Sequence, residues 1–455
     1  MTSTNNIVFR SEQQQAIDLT VNSLKRNRKM LWNAKMRFGK TLCALEVARL
    51  CGYRRTLILT HRPNVRGEWF ESLLKLKLDG WLFGCKDPNA VAFDAQTFEA
   101  IEAKAKQDKN THYIYFASMQ DLRGSKRVNQ QKGIEKNDNI FNTHWDFLIV
   151  DEAHEGIMSR LGRDVIGELQ KRRTLRTLYL SGTPYNIQQM FDNTEVYHWD
   201  YCMEQSAKAA WTQAHANEPN PYEGLARMNI ITYNLAREMR SYRISETGAF
   251  NFAELFRTEN VPADEATNGA TTRFVHEADV RKFVKLISKN STNKLYPYAN
   301  KQLSGSLDHT LWYVPGVQAA HCLARILSEQ TPDNPFGQYA IVDVAGEGNS
   351  AEERSDIYEQ TKHERDALER VKTAIANNKL TITLSCGRLT MGVSVPEWTA
   401  VLMLAGAAET GGMRYFQTIF RCQSPYTDTR VKTECYAIDF SPCRTLTVVD
   451  QYVNT

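Results

Sequence analysis

Apolar residues in the first part of the chain come in short, nearly continuous runs, at 30–34, 56–60, 113–117, 147–150 and 177–180. A strand buried on both faces requires that continuity, whereas a half-exposed strand alternates. Between the runs, 41–50 and 65–78 carry helical spacing, so the pattern predicts a parallel sheet wrapped by helices. A second block of the same kind begins near His309, with strand candidates at 310–314, 339–344, 381–385, 400–404 and 434–440. The stretch from Val196 to Ser304 differs: it is richer in Asn, Glu, Arg and aromatics, with turn signals at Glu218-Pro219-Asn220-Pro221 and Asn268-Gly269. The expected organisation is therefore an α/β lobe over 1–195, a mostly helical insertion or linker module over 196–304, and a second α/β lobe over 305–455.

A length of 455 residues fits two or three domains. The net charge of +4 permits a polyanionic partner without demanding one. Basic clusters at 25–29 and 171–173 could face phosphates or simply be solvated. Nine cysteines without a C-x-x-C pair or Cys/His ligand spacing read as reduced thiols, not as a disulfide framework or zinc site. The polar start MTSTNNIVFR lacks a signal peptide's apolar run, and the apolar stretch at 401–408 is far shorter than the ~20 residues of a membrane helix. A soluble, cytoplasmic protein without membrane contact is expected.

Two segments carry chemistry. Ala34-Lys35-Met36-Arg37-Phe38-Gly39-Lys40-Thr41 follows a strand candidate and opens a helix, matching G-x-x-x-x-G-K-[ST] except for Ala34 at the first glycine. In such a loop backbone N–H groups cradle phosphates, Lys40 adds a charge to the β/γ-phosphates, and the Thr41 hydroxyl serves magnesium. Gly39 lets the backbone approach closely. A chance G-K-T is the bland alternative, and the second segment weighs against it. There the run at 147–150 leads into Asp151-Glu152-Ala153-His154, placing carboxylates at the end of a buried strand, where open α/β sheets bind ligands. Asp151 suits Mg²⁺ and Glu152 suits activation of the attacking water. The later run at 177–180 ends in Ser181-Gly182-Thr183-Pro184, a hydroxyl-rich turn on the same edge.

With these residues in view the chain resembles a superfamily 2 DExH/DEAH-type helicase or translocase. The resemblance implies two RecA-like lobes of the P-loop NTPase class, with ATP and Mg²⁺ bound between them. Phe9-Arg10-Ser11-Glu12-Gln13 resembles the leading R-x-x-Q element, which places Arg10 and Gln13 near adenine. The same segment reads as a helix start with Ser11 as N-cap and Gln14 three residues on. The 57–63 segment resembles motif Ia, and 117–120 a later strand that touches nucleic-acid backbone. His154, within D-E-A-H, is implied to couple the nucleotide site to the other lobe.

The C-terminal block resembles a second such lobe. Segment 311–317 resembles motif IV, 390–398 (with Gly392) motif V, and 415–425 motif VI, with Gln417 and Arg421 facing the nucleotide. Ser394 stands where motif V has an acidic residue; Phe420 and Ser424 replace the glycine and second arginine of Q-x-x-G-R-x-x-R. Arg421 is the implied arginine finger, with Arg414 and Arg388 as substitutes. A terminase-like packaging ATPase fits the first lobe but is followed by a nuclease, not a second lobe. The motif wording is similar to helicase subunits of restriction and phage-defence systems, as are Trp199-Asp200-Tyr201 and Asn220-Pro221-Tyr222. The implied function is an ATP-driven motor on nucleic acid, DNA before RNA. No nuclease or methyltransferase signature is present, so cleavage would fall to a partner. A switch ATPase that clamps without unwinding is the runner-up, and a non-catalytic scaffold the least favoured reading.

Overall fold

The computed structural model describes residues 7–60, 66–78, 80–86, 95–122, 125, 137–182, 187–215, 217–244, 249–261, 272–346, 357–387, 389, 393–406, 412–426 and 428–453. The chain divides into two compact units, residues 1–214 and 215–455.

The first unit holds a seven-stranded sheet built from β1 (Lys29–Ala34), β2 (Arg55–Thr60), β3 (Leu82–Cys85), β4 (Tyr113–Ser118), β5 (Phe147–Asp151), β6 (Arg176–Ser181) and β7 (Val196–Trp199), in the order β3-β4-β2-β5-β6-β1-β7. Every pairing is parallel, so all the C-terminal strand ends share one edge. The central strands are buried on both faces, as their unbroken apolar runs require. Helices α1 (Ser11–Ser23), α2 (Lys40–Leu50) and α3 (Arg66–Lys75) follow the expected register closely. The start of α1 differs by one residue from the sequence reading. Arg10 is the cap, and its backbone N–H donates to Gln13 Oε1 at 2.9 Å, while Gln14 turns to Asp18. Deeper in α1, Thr20 Oγ accepts from the Trp32 indole at 2.7 Å and ties the helix to β1.

The second unit contains a six-stranded parallel sheet. Its members are β8 (Arg227–Thr232), β11 (His309–Tyr313), β12 (Ala340–Asp343), β13 (Thr381–Ser385), β14 (Ala400–Met403) and β15 (Glu434–Asp439), in the order β12-β13-β11-β14-β15-β8. A separate antiparallel pair joins β9 (Thr258–Asn260) to β10 (Thr272–Phe274). Phe252, Phe256, Phe283 and Phe440 stack edge to face in a continuous core that also takes in Trp312 and Leu402.

The stretch 196–304 does not stand apart as a helical module. β7 completes the first sheet beside β1, and β8 completes the second beside β15, in register from Arg227 opposite Glu434 to Thr232 opposite Asp439. The helix Tyr201–Ala214 belongs to the first unit, and the rest to the second. Both strands sit at sheet edges, where one face or flank meets solvent and the apolar run breaks up: β7 alternates, and β8 is mostly half-exposed. No helix among the described residues is long and apolar enough to cross a membrane.

Candidate nucleotide site

The loop after β1 turns through two left-handed residues, Arg37 at φ 67° and Gly39 at φ 96°, and delivers Gly39 as the N-cap of α2. The first N–H groups of α2 therefore open toward the sheet edge where β5 and β6 also end, an arrangement suited to an anion. Phe38 is fully buried against Trp32, Tyr197 and Trp199. Its carbonyl is held from α1 by Gln13 Nε2 at 2.6 Å and Arg10 Nη2 at 3.0 Å. Gln13 leaves little room: a Cβ added at Gly39 would sit 2.6 Å from its amide nitrogen. Arg10 and Gln13 thus brace the loop from behind.

Lys40 donates to Ala34 O at 2.7 Å and Lys35 O at 3.1 Å. Burial pushes its pKa down, Glu152 and Asp151 pull it up, and Arg37 adds a downward push. Across the sheet edge, Asp151 closes β5, with Oδ2 accepting the Trp69 indole N–H at 3.1 Å and Oδ1 accepting the Glu152 amide at 2.9 Å. Desolvation, and then the neighbouring Glu152 charge, raise the Asp151 pKa to about 7; Trp69 and Lys40 work against that rise. Glu152 adopts φ 47°, a left-handed position that costs a side chain about 1–2 kcal/mol. Buried His154 pairs through Nδ1 with Ser181 Oγ at 2.8 Å and lies 3.5 Å from Glu152 Oε2, linking the ends of β5 and β6. Gly182 then abuts the loop, since a Cβ there would lie 3.6 Å from Ala34 O and from the Met36 amide. Thr183 and Pro184 lie outside the described residues.

These shifts bear on whether a magnesium nucleotide fits. Burial is the first cause of both, so a phosphate beside Lys40 and a cation beside Asp151 would each offset the shift. Among the described residues no group of three or more His, Cys, Asp or Glu could enclose a metal ion. Mg²⁺ carried on phosphates needs only one or two protein ligands, with water completing the octahedron. Asp151 at the end of β5 and the Thr41 hydroxyl in the first turn of α2 are the oxygen donors that would hold it.

Lys35 departs from the expectation that it lines the phosphates. Its backbone N–H donates to Trp199 O at 2.9 Å, and its ammonium is buried against both oxygens of Glu204 at 2.8 and 2.9 Å. Glu204 and Trp69 fall outside the motifs; neither sits in a segment with a phosphate- or metal-binding spacing.

In the second unit, Gln417 lies on the helix Gly412–Ile419 and Arg421 in the short turn after it. Arg421 is only 6% exposed, and its guanidinium donates to Val393 O at 2.6 Å and Gln417 O at 3.2 Å. Motif VI is thereby bonded to the described end of motif V. Lys432 adds a second tie, donating to Pro396 O, Trp398 O and Cys422 O. Gly392 and Arg388 lie outside the described residues.

Comparison with known proteins places this geometry. Residues 6–186 match the family described as the Type III restriction enzyme, res subunit. A Mycoplasma pneumoniae protein named as the C-terminus of a type II restriction enzyme and methyltransferase is 25% identical over 479 residues, covering 94% of this chain. The chain spans 63% of the length of that relative. Among solved structures, the ATP-dependent Type ISP restriction-modification enzyme LlaBIII bound to DNA superposes with a TM-score of 0.57 at 12% identity, over 99% of this chain and 30% of that one. That likeness speaks for the fold, two RecA-like lobes each built on a parallel sheet. Residues 6–186 thus match the family model of the Type III restriction enzyme, res subunit, and the chain as a whole is similar to proteins named for restriction-modification.

Proposed function

We propose that this chain is the ATP-driven motor of a restriction system, hydrolysing ATP to translocate along or unwind DNA. One observation carries the reading: a phosphate loop with Gly39, Lys40 and Thr41 shares a sheet edge with Asp151 and Glu152. Lys40 binds the β/γ-phosphates and the α2 amides hold their oxygens. Thr41 and Asp151 hold Mg²⁺, whose contribution is to neutralise phosphate charge. Glu152 orients and deprotonates the attacking water, and His154 relays its position to Ser181 on the next strand. Arg421 stabilises charge in the transition state, with Gln417 beside it; Gly392 serves the nucleotide from motif V. Grip on the track is mainly to phosphate and sugar, so it is sequence-tolerant and weakens with salt. DNA is favoured over RNA because the similar solved structure is a restriction-modification enzyme bound to DNA, and the curated relative is named as a restriction enzyme and methyltransferase. Cleavage or methylation belongs, in this proposal, to a nuclease or methyltransferase partner.

The test is ATP hydrolysis measured without nucleic acid, with single-stranded DNA, with duplex DNA and with RNA. Stimulation by DNA supports the motor, and absence of ATP hydrolysis under all four conditions overturns it. A second reading, a DNA-dependent switch that clamps without moving, draws on Phe420 and Ser424 in motif VI and on the inward bonds of Arg421. DNA-stimulated ATPase without displacement of a bound strand or roadblock would select it.

A further inference from the structure

The ion pair between Lys35 and Glu204 is unusual in its placement. Both side chains are only 1% exposed, and the ammonium meets both carboxylate oxygens. Removing two charges from water costs several kcal/mol per ion, so such a pair is a poor device for stability alone. The cost is visible here: burial pushes the Lys35 pKa down to about 8, even though Glu204 pulls it up. Lys35 is the second residue of the phosphate loop, whereas Glu204 sits in the first turn of the helix Tyr201–Ala214.

Two further contacts bind the loop to the same segment. The Lys35 amide donates to Trp199 O, and Phe38 packs on Tyr197 and Trp199. The phosphate loop is therefore braced on two sides: by Gln13 and Arg10 on the Phe38 carbonyl, and by β7 with the helix after it on Lys35. That helix is the last element of the first unit and runs by sequence into the second.

We infer that Glu204 is a positioning residue of the nucleotide site, which holds the start of the phosphate loop through Lys35 and makes loop geometry depend on the helix leading to the second unit. The inference rests on the nucleotide-binding reading above. In this arrangement the Lys35 ammonium is turned to Glu204. Its ammonium is an anchor, and losing the anchor frees the loop amides from the geometry that matches the phosphate oxygens.

The experiment compares the full chain with Glu204→Gln, Lys35→Met and the double variant Lys35→Met/Glu204→Met. Binding of a fluorescent ATP analogue with Mg²⁺, steady-state kcat and KM, and the melting midpoint are measured for each. Glu204→Gln and Lys35→Met should each weaken ATP binding and raise KM about tenfold or more, the equivalent of one lost charged hydrogen bond, with kcat at saturation changed far less. The double variant should recover its melting midpoint, because an apolar pair carries no desolvation cost, but not its ATP affinity. Recovery of both, or ATP affinity equal to wild type in a folded Glu204→Gln protein, overturns the inference and leaves the pair purely structural. A wild-type chain that binds no ATP instead overturns the nucleotide-binding reading, and the positioning role with it.

Discussion

Substituting Gly39 with alanine tests the brace behind the phosphate loop through two separable effects. The first is backbone strain: at φ 96° a side chain costs about 1–2 kcal/mol whatever surrounds it. The second is steric, since the new Cβ would stand 2.6 Å from Gln13 Nε2. That atom is the end of a flexible side chain and moves aside easily, but moving breaks its 2.6 Å bond to Phe38 O. Arg10 still satisfies the carbonyl at 3.0 Å, so the loss belongs at the lower end of the range for a buried hydrogen bond, about 0.5–1 kcal/mol. Gly39→Ala should therefore cost about 1.5–3 kcal/mol of stability by urea denaturation. Gln13→Ala alone should cost about 1 kcal/mol. The double variant should cost less than the sum of the two because, of the bonds that Gln13→Ala removes, the one to Phe38 O is already broken and only the one from the Arg10 amide is newly lost. ATP affinity should follow the same non-additive pattern. Additive losses, or a Gly39→Ala protein within about 0.5 kcal/mol of wild type, would refute the packing of Gln13 on the loop.

Three further outcomes are expected. Lys40→Ala and Glu152→Gln should both abolish ATP turnover, but only Lys40→Ala should lose nucleotide binding, as read by titration with a fluorescent ATP analogue; equal loss in both contradicts the roles assigned. Asp151, whose folded pKa stands near 7 instead of 3.8, destabilises the nucleotide-free protein at high pH, and this penalty is relieved as pH falls from about 7 toward 4. Asp151→Asn should therefore be inactive yet more stable than wild type at pH 8, with the gain vanishing near pH 4; the same midpoint difference at both pH values would count against it. Arg421→Ala should cut DNA-stimulated kcat by orders of magnitude at unchanged ATP affinity and also lower the melting midpoint, since Val393 O and Gln417 O lose their donor. Near-wild-type kcat would remove Arg421 as the finger, and Arg421→Lys should rescue poorly because lysine lacks the planar fork.

The parts of the fold legible in the sequence were those buried on both faces. β1, β2, β4, β5 and β6 appeared as apolar runs within a residue or so of their observed ends, and β13 matched at both. The strands without an apolar run, β3, β7, β8, β9 and β10, each have a single neighbour in their sheet. An edge strand has one neighbour and partial exposure, so selection for apolar residues is weaker and the run dissolves into alternation or mixed character. β3 adds a glycine, Gly84, because a Cβ there would run into the Ile101 side chain of the covering helix. The stretch from β7 to β8 lacks an apolar run for the same reason, and the two strands close different sheets.

The candidate site divides along the same physical line. A motif spacing reports what the backbone must do: Gly39 at a left-handed turn, Lys40 and Thr41 at a helix start, Asp151 at a strand end. Those positions came straight from the pattern because local geometry imposes them. Spacing says nothing about where a side chain in an x position turns, and that is decided by long-range partners. Lys35 finds its partner 169 residues away, and Asp151 receives an indole from Trp69, 82 residues before it. In both cases the partner lies in a segment whose own sequence carries no phosphate or metal signature. Charge arithmetic could have raised the question, since a lysine beside Arg37 and Lys40 in a desolvated loop needs an anion besides the nucleotide. An acidic residue inside the fold was therefore implied by the loop itself, and its address, Glu204, required the structure.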